Sequence, residues 1–591
     1  MHQRRSAVVA LCVLVALVAG ACMSATASRV TAEDGGVTQS SDGLDVRTSG
    51  RAALQELRDQ PGVQDAQGRE RTDAQASEDS EESEDSDDPT PSGDEPQWQV
   101  SPQWALHPEV LQGTPRFRQL SRKGAPTPGE QPNIVLITTD DQNVNEMRWM
   151  PKTRALLGGP GATFSDSVSP HPLCCPARAM TLTGQYAQNN GVRSNFWPSG
   201  GYYKLDNTNT LPVWLQDAGY ETAFMGKYLN EYGLLDPQDV PPGWDHWRSA
   251  VDNGVYDYYD YAMNEDGRVQ QYTGTYQTEY YADETEDLVA QMSHDDQPFF
   301  LWQSHLAPHS ACPADYSDQE CWESPTPSMS YDNLFDDVPL PQRRVPSFNE
   351  ADVSDKPEWI RRPPLGKADR EHLTELFQRR IESLQSVDDA VARTLSALDE
   401  AGELDDTLVI FSSDNGYLLG EHRFSGKIVG YEPSLQVPLL MRGPGVPAGT
   451  RSAETVGTLD LAPTIADAAG ATPGLDVDGR SMLPIAAGKA KGWDTVLIQG
   501  GPRSLRSGDE WIYRGVRTDR YTYMEHRRTG ERELYDRRLD PYQLHNVAGE
   551  PRYAAAQAEL RRRLLALQDC AGADCRERFG AVVGPDSPAT R

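Results

Sequence analysis

The chain has 591 residues and a formal net charge of -34. That length supports a large buried core and more than one domain. That charge excludes a nucleic-acid backbone as partner, because nothing offsets phosphate repulsion, yet it leaves room for an anionic substrate in a locally basic pocket.

Residues 1–22 read as an export signal. Arg4-Arg5 supply a positive start, and residues 7–18 supply an apolar run too short for a comfortable membrane span. Ala19-Gly20-Ala21-Cys22 then places small residues before a cysteine, so Cys22 is a candidate for lipidation, with plain secretion the alternative. Either outcome puts the protein outside the cell, secreted or held at the surface by a lipid anchor. Residues 23–130 read as an acidic, largely disordered tether. Eleven acidic and no basic residues fall between Asp73 and Glu95, a composition that repels itself and has little apolar surface to bury.

Residues 131–490 read as the main domain. Residues 133–138 (Asn-Ile-Val-Leu-Ile-Thr) form the apolar run of a strand covered on both faces, and the run leads into Asp140-Asp141. Paired carboxylates at the carboxyl end of a buried strand lie where open α/β sheets place ligands, and they repel unless a cation joins them. Helix capping is the bland alternative for Asp141. Next comes Cys174-Cys175-Pro176-Ala177-Arg178, with Pro176 suited to a first helical turn. A cysteine near a helix N-terminus and beside an arginine favours a thiolate or a bound oxyanion, whereas two adjacent cysteines are equally compatible with a disulfide or buried thiols.

An amphipathic helix over residues 211–220 closes on a glycine, and a strand over 221–225 ends at Lys227, which is suited to holding an anion. Without its neighbours Lys227 reads as a solvated loop lysine. Residues 298–303 form a further strand that leads to His305 and His309. Pro308 argues against one regular helix carrying both, which makes His309 the proton-transfer candidate and His305 a structural residue. Residues 407–412 repeat the buried-strand pattern and end in Asp414-Asn415-Gly416. Two strand ends delivering Asp-Asp and Asp-Asn make one divalent-cation site of hard oxygen ligands. Glu421-His422 and Lys427 follow on a polar loop.

Residues 491–591 read as a small α+β subdomain and tail, with strands over 511–517, 521–524 and 533–536 and a helix over 554–567. Cys312 with Cys321 and Cys570 with Cys575 are short-range pairs, and export makes disulfides the expectation for both. No histidine arrangement completes either pair as a zinc site. Cys175 is left as a free thiol packed beside the site.

Taken together, these motifs resemble the type I sulfatases, the formylglycine-dependent branch of the alkaline-phosphatase superfamily. The run from Cys174 to Arg178 resembles their nucleophile signature, and Thr183-Gly184-Gln185 resembles the helix end that follows it. The likeness covers residues 131–560. It implies an α/β fold, a large mixed sheet sandwiched by helices with a small C-terminal antiparallel-sheet subdomain. It implies that Cys174 is converted to formylglycine by a formylglycine-generating enzyme. A calcium ion, magnesium being the lesser candidate, would be held by Asp140, Asp141, Asp414, Asn415 and residue 174. Arg178 would steady the hydrated aldehyde, Lys227 and Lys427 would clamp the sulfate oxygens, and His309 would serve the leaving oxygen. The hydrate has two hydroxyls, one to attack sulfur and one to expel sulfate.

The chain departs from the family at Lys227-Tyr228-Leu229, where many relatives have Lys-x-His. One substrate contact is therefore unassigned, with Asn230 and His422 as candidates. Residues 226–232 and the double cysteine resemble the glucosamine-6-sulfatase branch, which implies a sulfated sugar or glycosaminoglycan. The expected activity is hydrolysis of an organic O-sulfate monoester. The alternatives are a phosphodiesterase or phosphonate monoester hydrolase of the same superfamily, and a non-catalytic surface protein that binds sulfated glycan.

Overall fold

A computed structural model describes residues 131–252, 254–294, 297–311, 324–502 and 510–585. The expected export signal, the tether, Cys22 and the Cys312–Cys321 pair lie outside the described residues.

Ten strands form one mixed sheet, in the order Thr450–Ser452, Ala162–Phe164, Leu439–Arg442, Thr407–Ser413, Asn133–Thr139, Phe299–Ser304, Glu221–Gly226, His246–Ala250, Asp260–Glu265 and Arg268–Thr273. The five strands from Thr407–Ser413 to His246–Ala250 run parallel. Antiparallel pairs flank them on both sides.

The side-chain period of two divides each central strand between two cores. Val135, Ile137, Leu301, Val409 and Phe411 enter one. Ile134, Leu136, Phe300, Trp302, Leu408 and Ile410 enter the other. The first core is covered by the long helix Lys367–Ala401 through Leu384, Val387, Val391 and Leu395. The second is covered by the helices Cys174–Thr183, Leu211–Asp217 and Leu461–Ala469. Burial on both faces is why these strands read as largely apolar runs.

Thr495–Gly500, Tyr513–Thr518, Tyr521–His526 and Arg532–Asp536 form a second, antiparallel sheet in that order. The helix Ala554–Leu567 packs Leu560, Leu564 and Leu567 against it. Arg517 fastens this sheet to the main one: its buried guanidinium donates to Asp166 at 2.6 Å and to Glu432 at 2.8 and 2.9 Å. Cys570 and Cys575 are disulfide-bonded, as expected. The α/β architecture with a large mixed sheet and a small antiparallel subdomain is the one the sequence predicts.

Candidate active site

Four adjacent parallel strands end at one place. Thr139 is level with Ser413, Thr138 with Ser304, and Gly226 with Ser304. The next residues are Asp140, Asp414, His305 and Lys227, so the register of the sheet sets the spacing of the site. A fifth contribution comes from the Cys174–Thr183 helix, whose first residue is Cys174 and whose N-cap is Leu173. Pro176 therefore stands two positions further into that first turn than a proline opening the helix would. The ligating atoms of Asp140, Asp141, Cys174 and His309 all lie within 4.8 Å of one another, and all four residues are buried.

Asp140 is the hub. It accepts from Arg178 Nη2 at 3.0 Å and from Lys227 Nζ, and the Cys174 thiol donates to its Oδ1 at 3.3 Å. Arg178 continues to Asp414 Oδ2 at 2.9 Å, to the Lys227 carbonyl at 2.6 Å and to Ser304 Oγ at 2.7 Å. Lys427 donates to Asp141 and, at 2.8 Å, to Cys174 Sγ. Asp141 has φ +69°, a left-handed conformation uncommon outside glycine that aspartate adopts more readily than most side chains. Its amide donates to Asp414 Oδ1 at 3.1 Å, and its carboxylate accepts from Asn415 Nδ2 at 2.6 Å. The Asn415 amide is oriented by that bond, and its Oδ1 is buried with no hydrogen-bond partner. An orphaned carbonyl oxygen beside three carboxylates fits a hard divalent cation.

The electrostatics follow from burial. Desolvation works to raise the Asp140 carboxyl, but Lys227, His309, Arg178 and Lys427 around it hold it well below the usual carboxylate range. Asp414 faces the opposite balance. Burial and then the neighbouring Asp140 push it up to about 6, against Arg178. Burial, with Asp140, also drives the Cys174 thiol far above its ordinary value against the two lysines, so the encoded thiol is a weak nucleophile. Burial lowers His309 to about 4, against Asp140 and Asp141. The His309 Nδ1–H donates to the Ser310 carbonyl at 2.8 Å, and Nε2 faces Asp141 at 3.7 Å.

The structure thus brings together Asp140, Asp141, Cys174, Arg178, Lys227, His309, Asp414, Asn415 and Lys427. Asn230 is reached through a neighbour: its Nδ2 donates to the Tyr256 hydroxyl at 2.8 Å. The Tyr256 ring lies 4.7 Å beneath Lys227 Nζ and 5.1 Å from the His309 ring. His422 has other partners. Its backbone is also left-handed, φ +54°, and its ring meets Glu350 at 2.6 Å and the Tyr431 ring at 4.4 Å. His305 is fully buried with neither ring nitrogen hydrogen-bonded. Cys175 is free and buried. Burial pushes its thiol up to about 12 against the backbone N–H groups of Gly201 and Asn230.

Sequence reasoning misses Arg380 and Glu146. Arg380 lies midway along the Lys367–Ala401 helix and is 1% exposed. Nε and Nη2 grip the Glu146 carboxylate at 2.7 and 2.8 Å. The same guanidinium donates to the Asp141 carbonyl at 2.6 Å and to the Pro308 carbonyl at 3.2 Å. One side chain therefore ties the left-handed Asp141 to the loop that carries His309. The available signal is a charged residue within the apolar face of a helix, together with Glu146 three residues after the capping residue Asn143.

The sulfatase family model matches residues 132–471, and the N-sulphoglucosamine sulphohydrolase C-terminal model matches residues 420–570. The chain is 34% identical over 497 residues to an arylsulfatase of Volvox carteri, covering 76% of each chain. It is 34% identical over 513 residues to an N-acetylglucosamine-6-sulfatase of Capra hircus, covering 77% of this chain and 87% of that one. A solved structure of a protein in complex with its substrate D-glucosamine-2-N,6-O-disulfate superposes with a TM-score of 0.62 at 23% identity, covering 74% of this chain and 98% of that one.

Proposed function

We propose, for a chain that belongs to the sulfatase family and hydrolyses O-sulfate esters, that the substrate is a sulfated sugar or glycosaminoglycan and that residue 174 works as formylglycine beside a calcium ion. The observation that carries this reading is the convergence on Cys174. Lys427 Nζ and Asp140 Oδ1 both meet its Sγ at the N-terminus of a helix, among carboxylates from two strand ends. A thiol raised by burial serves poorly as nucleophile and as a ligand to a hard cation, whereas an oxygen at that place suits both.

Asp140, Asp141, Asp414, Asn415 and residue 174 would hold the calcium, which when bound would lower the proton affinity of a hydroxyl and neutralise sulfate charge. The hydrated aldehyde would supply one hydroxyl to attack sulfur and a second to release sulfate. Lys227 and Lys427 hold the sulfuryl oxygens as charge builds on them. Arg178 fixes Asp140 and Asp414 relative to each other. His309, oriented by Ser310 through Nδ1, presents Nε2 to the leaving oxygen. Tyr256, with Asn230 behind it, supports both Lys227 and His309 where the family's Lys-x-His histidine is lacking. The protein acts outside the cell, after maturation by a formylglycine-generating enzyme, with residues 131–490 as the catalytic domain and 491–591 as the smaller subdomain.

The test is the mass of the peptide containing residue 174, from protein made in its own host, alongside turnover of an aryl sulfate and of glucosamine 6-sulfate. An aldehyde or its hydrate is expected, and Cys174→Ser, lacking a second hydroxyl, is expected to fold without turning over. An unmodified thiol in active protein overturns the reading.

A further inference from the structure

We propose that Arg514, Trp511 and Arg193 form a subsite for a second anionic group of the substrate, a sulfate or carboxylate on the sugar bearing the scissile ester or on its neighbour. This rests on the sulfated-glycan reading above and extends it to multiply anionic saccharides.

The first observation is an incompletely paired buried cation. Arg514 stands on the strand Tyr513–Thr518 and is 6% exposed. Its Nε is buried with no hydrogen-bond partner. The carboxylate it meets is Asp569, 3.4 Å from Nη1, whose side chain is 76% exposed and therefore well hydrated. A guanidinium held out of water with an open N–H is costly unless an acceptor arrives. Burial lowers the Arg514 guanidinium, and Arg527 and Arg193 add to this against Asp569, so positive charge is in local excess here in a chain of net charge -34.

The second observation is the aromatic plate. The half-buried Trp511 carries the Arg514 guanidinium 4.5 Å from its ring centroid and that of Arg193 at 5.3 Å. One indole thus gathers two guanidiniums, each a planar fork of donors suited to carboxylate and sulfate oxygens. The His171 ring lies 6.0 Å from Trp511, with Nδ1 buried and unpartnered and Nε2 accepting from the Gly501 amide at 3.1 Å.

The third observation is place. His171 is three residues before Cys174, and the intervening Pro172 carbonyl accepts from the Ile428 amide, next to Lys427. Arg193 is two residues before Asn195, whose Oδ1 accepts from the Cys175 amide at 2.9 Å. Through His171 and Asn195 the plate connects to the N-terminal end of the Cys174–Thr183 helix, where the reading above puts the scissile ester. An anionic group there is the second contact expected of a ligand whose scissile ester lies at residue 174.

The experiment is calorimetric binding of a heparin-derived tetrasaccharide, with inorganic sulfate as control, to the full chain carrying Cys174→Ala so that the ligand is not turned over. Arg514→Gln and, on the more open side, Arg193→Gln are each expected to weaken tetrasaccharide binding about tenfold while leaving sulfate binding within about twofold, the loss of one charge-assisted hydrogen bond. Unchanged tetrasaccharide affinity in both variants, equal weakening of both ligands, or no tetrasaccharide binding by the parent overturns the subsite. Aryl-sulfate turnover by the chain with Cys174 intact is measured in parallel. Its absence would count against the sulfatase reading and not against the subsite, which is scored on binding alone.

Discussion

Replacing Arg380 with lysine is expected to cost activity in a protein that still folds. Lysine keeps a positive charge beside Glu146, so no unpaired buried carboxylate is left behind. It cannot reproduce the fork that reaches both the Asp141 carbonyl at 2.6 Å and the Pro308 carbonyl at 3.2 Å. Two hydrogen bonds from a charged donor are lost, each worth roughly 1.5–3 kcal/mol, which a fold stable by about 5–15 kcal/mol survives. The Asp141 carbonyl then loses its guanidinium anchor, and its carboxylate, still tied to Asn415 and Lys427, shifts with the loosened backbone. A displacement on the order of 1 Å at such a site costs about a hundredfold in rate. The assay is kcat and KM on an aryl sulfate at a temperature where circular dichroism reports a folded variant, with the calcium-induced rise in Tm measured on the same sample. A fall in kcat with KM little changed, together with a smaller calcium shift, is the expected pattern. A folded variant with wild-type kcat and an undiminished calcium shift would refute the claim that this guanidinium positions Asp141.

His305→Leu is expected to blunt acid sensitivity. Burial lowers the His305 imidazole from 6.5 to about 3, so between those values the unfolded chain binds a proton that the native state refuses. Stability is therefore lost as pH falls through about 6.5, by about 2 kcal/mol at pH ~5 relative to pH ~8, and the variant should lose that much less in urea titrations at those two pH values. Asn415→Leu should abolish the Tm rise on adding calcium to chelated protein, a rise that corresponds to about 2.7 kcal/mol at a hundredfold excess over Kd; a full rise in the variant would exclude Asn415 as a ligand. Joint replacement of Cys570 and Cys575 by serine opens a loop with a sequence separation of 5, worth about 2 kcal/mol, and should lower stability while leaving kcat/KM unaltered.

The central strands and most of the cluster are legible in the sequence because one physical cause produces both signals. Strands buried on two faces are largely apolar, so the first charged residues after them, Asp140, Lys227 and Asp414, stand out as the residues that leave the core. The edge hairpin of Asp260–Glu265 and Arg268–Thr273 is not legible, since its outer strand is largely exposed and its polar residues hide the alternation. The strand Thr495–Gly500 and the long helix Lys367–Ala401 also escape a reading anchored on motifs. Arg380 and Tyr256 act through contacts to residues far away in the chain, and nothing local to them reveals which partner they will meet. His422 shows the converse. Five residues from Lys427 in sequence, it is turned to Glu350 by a left-handed backbone that its residue type does not announce.

The resting cluster pairs three carboxylates, Asp140, Asp141 and Asp414, with three cations, Arg178, Lys227 and Lys427. The formal charges of these six side chains balance. A divalent cation alone must compete with the two ammonium groups for the same carboxylates, and a sulfate ester alone must draw those ammonium groups away from their counter-ions. If, as proposed, the cation takes the carboxylates and the ester takes the lysines, each arriving with the other would remove the other's competitor. Occupancy by one is therefore expected to tighten binding of the other by a common factor, as thermodynamic linkage requires. Selectivity for the complete pair would thus follow from the charge balance of these six side chains.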